Sequence, residues 1–263
     1  MIRIFKAEWR KLRRPTLLIG TLSAALFFSG LVSSLLFLLL DSPGGNGDRG
    51  VVITREVLSL PSGATQSFSS VGTLLGIIAL CVFAAQTAQE YTYGTLRNIL
   101  VRQPSRIKVL VGKFAAMKVF ALLMVVLSAV VSIGISYVLA GNKDVSTQLW
   151  FNSDGRLEIA KTFLNVMISV IGYGLLGMVL GLLLRSPISS ISIGVLWLLI
   201  IENIIGAVKA STLSWLPGNQ LSVIASGGSD AVSYSHALSL GAIYVAVGAV
   251  AAIIFFARRD VAN

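Results

Sequence analysis

Six apolar stretches, at 16–40, 68–88, 114–140, 162–184, 188–205 and 237–257, take up most of the chain. Crossing a hydrocarbon layer about 30 Å thick takes about 20 helical residues, and each stretch is close to that length or beyond it. The fifth is the shortest. Composition agrees: 55% of residues are hydrophobic, only 12% are charged and the mean hydropathy is +0.85, whereas soluble domains carry about 25% charged residues. The expected fold is an all-α integral membrane protein, with one transmembrane domain over residues 1–263 and six spans.

Charge then orients the spans. The flanks and loops at 1–15, 89–118, 185–187 and 258–263 hold 15 Lys and Arg residues, and the alternate loops hold 6. Short loops rich in Lys and Arg face the cytoplasm, so both termini are expected there, in a multi-pass protein of the cytoplasmic membrane. The net charge of +10 belongs to this pattern. It implies attraction to anionic membrane lipid rather than to nucleic acid. The run after the basic N-terminus is too long for a signal-peptide core and lacks a cleavage pattern, so it is expected to stay as a span.

Within 1–15, Ile2, Phe5, Trp9 and Leu12 recur every three or four residues among Arg3, Lys6, Arg10, Lys11 and Arg13, the pattern of an amphipathic interfacial helix. Pro15 is expected to end it and Thr16 to cap the next helix. Residues 42–50 read as a turn-rich outer loop, 54–60 as a short surface helix, and Arg185-Ser186-Pro187 as a tight turn between the fourth and fifth spans. Gly174, Gly177 and Gly181, like Gly72 and Gly76, place small residues on one helix face. They imply close packing, either inside one subunit or across a dimer.

Catalytic and metal chemistry find little support. Cys81 and His236 are single, which excludes an intrachain disulfide and a cysteine-based metal cluster. Gly112-Lys113 lacks both the first glycine and the hydroxyl residue of a phosphate loop, and no paired-carboxylate, HExxH or Gly-x-Ser-x-Gly arrangement occurs. An enzyme is not expected, nor a cofactor bound by this chain.

The segment Gln89-Glu90-Tyr91-Thr92-Tyr93-Gly94-Thr95-Leu96-Arg97-Asn98-Ile99-Leu100-Val101-Arg102-Gln103-Pro104-Ser105-Arg106 joins the second and third runs. Tyr91, Tyr93, Leu96 and Leu100 offer apolar contacts and Arg97 and Arg102 offer charge, as on a short helix that docks in a groove of a soluble partner. Gly94 suggests a bend, Pro104 ends the segment and Ser105 is placed to cap the next helix.

This pattern resembles the cytoplasmic coupling segment of permease subunits of type 2 ATP-binding-cassette (ABC) transporters, where a glutamate, Gly-Thr-Leu-Arg, a proline and basic residues link the second and third spans. The resemblance implies an N-terminal elbow helix, a coupling helix within 89–105 and re-entrant outer helices between the fifth and sixth spans, around 202–219. It further implies export of a substrate, powered by separate cytoplasmic ABC ATPase subunits that bind ATP and Mg, and a second permease chain, as a homodimer or with a similar chain. The partner-binding residues would be Glu90, Tyr91, Tyr93, Gly94, Thr95, Leu96, Arg97, Leu100 and Arg102. Gln86, Thr87, Glu202 and Asn203 are candidates for a translocation pathway. A glutamate at the bilayer centre costs about 3 kcal/mol, so Glu202 is expected near the outer surface, in a wet cavity or paired with Lys209. A channel or a sensing or assembly protein that recruits its partner through the same loop is the alternative. A secondary carrier is weakened by the scarcity of ionisable groups in the spans.

Overall fold

The computed structural model describes residues 2–41 and 54–258, and among them the regular structure is entirely helical. Eleven α-helices follow in order: α1 (Ile2–Leu12), α2 (Pro15–Leu38), α3 (Arg55–Ser59), α4 (Gln66–Thr92), α5 (Thr95–Arg102), α6 (Arg106–Asn142), α7 (Ser153–Leu184), α8 (Pro187–Leu196), α9 (Glu202–Val208), α10 (Pro217–Ser226) and α11 (Tyr234–Arg258). Six helical stretches are long and apolar enough to cross a membrane: Pro15–Leu38, Pro61–Thr92, Arg106–Asn142, Ser153–Leu184, Pro187–Val208 and Tyr234–Phe256. The chain is a multi-pass helical membrane protein. The expected outer loop at 42–50 lies outside the described residues.

Every span but the first contains its expected apolar run, with α11 taken to Arg258, and the helices extend past it; the first stops at Leu38, two residues short of the expected end, where the chain tightens into a turn over Leu39–Asp41. At 37 residues, α6 is about 55 Å long, well beyond the hydrocarbon thickness. The polar start of α7 is helical because the Asn152 side chain accepts the Gly155 N–H at 2.7 Å, satisfying one of the unpaired amides of the first turn. Pro15 is the first residue of α2, with Arg14 extended before it (ψ 131°), and no side chain caps that helix. Thr16 therefore does not act as the cap. Proline suits this first position because its missing N–H has no intrahelical partner to lose. Ser105 precedes α6 likewise without a side-chain cap.

The centre of the bundle is the pair α4 and α7, the most extensive packing in the molecule. In each of these two spans 56% of the most apolar stretch is buried, against 11% in the fifth and sixth spans. The glycines explain the close approach. A Cβ on Gly177 would stand 2.2 Å from the Leu80 carbonyl oxygen, one on Gly174 would meet the Phe83 ring, and one on Gly76 the Tyr173 ring. Both glycine faces thus meet inside one subunit, which decides between the two arrangements left open by the sequence.

Around this pair, α2 packs on α6 and α4, and its buried residues Ala25, Ser29, Ser33 and Phe37 recur every fourth residue. The buried residues of α6 include a like run at every fourth position, Ser128, Ser132, Ser136 and Ala140. Ser136 also bonds Ser67 of α4, at 2.6 Å between hydroxyls. At the end of the bundle formed by the start of α4, Trp150 is fully buried and donates to the Leu58 carbonyl of α3 at 2.8 Å.

Gly177→Ala is expected to destabilise the detergent-purified protein by about 1–3 kcal/mol, the range for forcing atoms into a filled core. Gly134→Ala, on α6, meets nothing within 4 Å, and its thermal unfolding midpoint should stay at or slightly above that of the parent.

Candidate functional site

Four charged side chains meet where the ends of α1 and α4 and the start of α6 converge. Lys113 Nζ donates to Glu8 Oε2 at 2.8 Å, to Glu90 Oε1 at 2.9 Å and to the Gln86 carbonyl oxygen at 3.0 Å. All three ammonium protons are used. Lys11 Nζ closes the ring, donating to Glu8 Oε1 at 2.6 Å and to Glu90 Oε1 at 2.7 Å. Glu8, Glu90 and Lys113 are at most 5% exposed. Two cations and two carboxylates alternate, so the cluster is neutral as a whole, the arrangement in which buried charge is tolerable.

Burial opposes ionisation of Glu8, but Lys113 and Lys11 outweigh it and hold the carboxyl below its ordinary range. Burial likewise opposes the charge of Lys11, and the Glu90 and Glu8 carboxylates outweigh it and raise the ammonium above its ordinary value.

The helical repeat places these residues where apolar ones are due. Glu8 stands three after Phe5 and four before Leu12, within the apolar face of α1. Lys113 falls between Val109 and Leu110 on one side and Ala116, Met117 and Phe120 on the other, all buried. In the sequence Lys113 stands out only beside Gly112, in an incomplete phosphate loop, and Lys11 reads as part of the polar face of α1. A lone acid amid six N-terminal cations, and a lone lysine inside an apolar stripe, were the available signals.

The ring anchors the segment expected to bind a partner. Gly94 adopts a left-handed conformation (φ 64°) that ends α4 and starts α5, so the expected bend is present, in a backbone region that favours glycine. Around it Tyr93, Thr95, Arg97 and Asn98 are exposed, and Val101 is 76% exposed. Glu90 and Leu96 depart from the expectation. Glu90 is consumed in the ring, and Leu96 is 3% exposed and belongs to the main core. Tyr91 also faces inward, beneath the Arg185 guanidinium at 5.3 Å and edge-on to Phe256 at 6.5 Å. Leu100 packs half-buried on the core, and Arg102 ends α5. These inward side chains fasten the segment, leaving Tyr93, Thr95, Arg97 and Val101 as its outer surface.

The four candidate pathway residues do not come together. Gln86 and Thr87 lie beside the ion ring, with Thr87 packed against Gly181 of α7. Glu202 and Asn203 border a separate cavity of about 190 Å³ that also touches Thr73 and Tyr173. Thr73 and Gln86 are about 20 Å apart along the axis of α4.

At Trp197–Ile201 the fifth span widens from the α-helical pattern, and the Glu202 N–H bonds the carbonyl five residues back, on Trp197. Such an inserted residue rotates the helix beyond it. Glu202, 4% exposed, accepts from the Trp197 indole at 2.8 Å and from the backbone N–H groups of Gly218 and Asn219 at 2.9 Å each. It caps α10, and Lys209 is not its partner. A carboxylate at a helix start satisfies unpaired amides and opposes the positive end of the dipole. Tyr173 adds a hydrogen bond to the Gly218 carbonyl at 2.7 Å, tying α10 to α7.

A six-span helical membrane protein with a buried ion ring at one end and a carboxylate-capped internal helix is the class this geometry defines. Within it, the chain belongs to the family described as "Protein of unknown function (DUF2705)", whose model matches residues 52–262. It is also similar to "Uncharacterized protein YhcI" of Bacillus subtilis (strain 168), with 22% identity over 207 residues. That similarity takes in 72% of this chain and 66% of the relative's length, just under two thirds.

Lys113→Met leaves two buried carboxylates facing one lysine and is expected to cost about 3–5 kcal/mol. Lys118→Met, on the exposed side of α6, should be close to neutral; thermal unfolding in detergent separates the two. The pH profile follows from the signs of the shifts. Glu8, depressed below 4.5, stabilises fully above that value, and its contribution is lost as the pH falls through the folded value. Lys11, raised above 10.5, stabilises fully below that value, and its contribution is lost as the pH rises through the folded value. The unfolding midpoint should therefore decline on the acid side of 4.5 and on the alkaline side of 10.5, by linkage.

Proposed function

We propose that this chain is the permease subunit of an ABC transporter of the type 2 class, which exports a substrate across the cytoplasmic membrane with both termini on the cytoplasmic side. Separate ATPase subunits, which bind ATP and Mg, dock on the 89–105 segment. A second permease chain, a copy of this one, completes the translocation unit. The fifth and sixth spans leave apolar surface for lipid and for that copy.

The observation that carries this reading is α5. It is a short amphipathic helix between the second and third spans, fastened inward by Leu96 and, through Glu90, to a ring that also holds α1 and α6. A push on its outer face would reach three helices without bending a flexible loop, as a coupling element requires. On this reading α1 is the elbow helix, lying at the inner membrane surface with Trp9 at headgroup depth. The capped α10, with the helical turn Ala210–Trp215 before it, is the re-entrant outer element.

Affinity purification of the tagged chain in mild detergent tests the proposal. A soluble ATPase should accompany the parent in stoichiometric amount. It should be lost from Tyr93→Asp and Val101→Asp, whose exposed positions leave the unfolding midpoint unchanged. Retention of the ATPase by both variants, or purification of the parent with no ATPase, would overturn the reading in favour of a channel or recruitment protein.

A further inference from the structure

The cavity of about 190 Å³ beside Glu202 lies toward the start of α4, away from the ion ring, and is bordered by α4, α7, α9 and α10. Glu202 carries the one charge on its wall and is 4% exposed. Its three partners, the Trp197 indole and the Gly218 and Asn219 amides, are all neutral. No Lys or Arg among the described residues pairs with it. Hydrogen bonds and the α10 dipole lessen the cost of this charge, but buried charges are ordinarily matched by an opposite one, and ionisable groups within membrane spans mark places where a ligand or ion is handled. The widened turn at Trp197–Ile201 stands immediately before Glu202, and such turns recur at functional sites.

The hydrogen bonds leave acceptors rather than donors for a guest. A carboxylate offers about four lone-pair positions. Oε1 of Glu202 accepts from Trp197 and Gly218, whereas Oε2 accepts only from Asn219, so a position on Oε2 is open. Asn203 donates its side-chain N–H groups to the Leu199 carbonyl at 2.9 Å and the Leu198 carbonyl at 3.5 Å, and Asn219 donates to the Leu213 carbonyl at 2.8 Å. Both amides thereby keep their oxygens for another donor. The Tyr173 and Thr73 hydroxyl protons are likewise spent, on the Gly218 carbonyl and the Ser222 hydroxyl. The rest of the wall is apolar, formed by Ile77, Leu198, Leu199 and Leu213. Leu199 and Asn203 are exposed, so a guest can enter from outside the bundle. The space is several times the share of one water, about 30 Å³, and more than a bare ion fills.

We propose that this cavity binds a small organic cation, with a primary ammonium group seated against Glu202 and a short hydrocarbon chain along the leucine wall. The ammonium supplies the missing opposite charge, and its three N–H donors match Oε2 of Glu202 and the amide oxygens of Asn203 and Asn219. The site belongs to the chain by itself and does not rest on the transport reading.

Calorimetric titration of the purified full-length chain in detergent, at neutral pH, with n-butylammonium chloride tests the proposal. The uncharged isostere 1-butanol and sodium chloride serve as comparisons. Saturable binding of butylammonium is expected, with no binding of butanol and no displacement by equimolar sodium. Affinity should fall about tenfold in Glu202→Gln, for loss of a charge-assisted contact, and about fivefold in Asn203→Leu, for loss of one hydrogen bond. The Asn203 side chain bonds only carbonyls of its own span, so this second variant keeps the test independent of the α10 cap if Glu202→Gln proves unstable. Absence of saturable butylammonium binding, equal binding of butanol, displacement by equimolar sodium, or an affinity unchanged in both variants overturns the proposal.

Discussion

The backbone contact between α4 and α7 is the constraint on which the remaining architecture depends. In a membrane, helices gain little by hiding apolar surface from lipid, so close van der Waals packing has to hold them together. Glycines let these two helices approach until the Leu80 carbonyl oxygen fills the place where a Gly177 side chain would begin. The resulting pair offers packing surfaces to α2, α6, α8 and α10. The fifth and sixth spans, by contrast, keep most of their apolar surface outward.

At the two ends of this scaffold, charge is handled by different means. At one end, two lysines and two glutamates neutralise each other in a closed ring, so α1, α4 and α6 are joined by contacts that lose much of their value if any member is removed. At the other, a single buried carboxylate, Glu202, is balanced by an indole, two backbone amides and the dipole of α10. Both devices join elements distant in sequence. The ring stiffens the base of α5, and the cap holds α10 against α7. Parts that must transmit force between a cytoplasmic machine and membrane helices would need such rigid joints, which is how the geometry supports the transport reading.

Only part of the candidate site is legible in the chain, and with some roles exchanged. The bend at Gly94 follows from glycine in a helical pattern, and the exposed Tyr93 and Arg97 follow from amphipathicity. Glu90 and Leu96 were read as surface because periodicity shows that residues share a face but not which neighbour that face meets. For Glu90 the neighbours are Lys113, on the next span, α6, and Lys11 on α1, and for Leu96 it is the main core. The ring was missed for a related reason: Glu8 and Lys113 are 105 positions apart, and a charge within an apolar stripe signals a buried partner without naming it. The sequence marks Glu202 as costly and offers an outer-surface position, a wet cavity or the nearby Lys209 as its compensation. The widened turn at Trp197–Ile201 and the Pro217 start of α10 supply backbone donors instead.

By itself, the sequence determined the number of spans, their helical character and the presence of a short helix after the second, because these rest on local matters: apolar length, 3.6-residue periodicity, glycine and proline. Tertiary structure alone decided that the glycine faces meet within one subunit, that four charges from three helices close into a neutral ring, and that Glu202 caps α10. Each of these depends on which helices lie side by side. That choice is made by packing and charge neutralisation summed over the whole bundle, and no window of the sequence contains it.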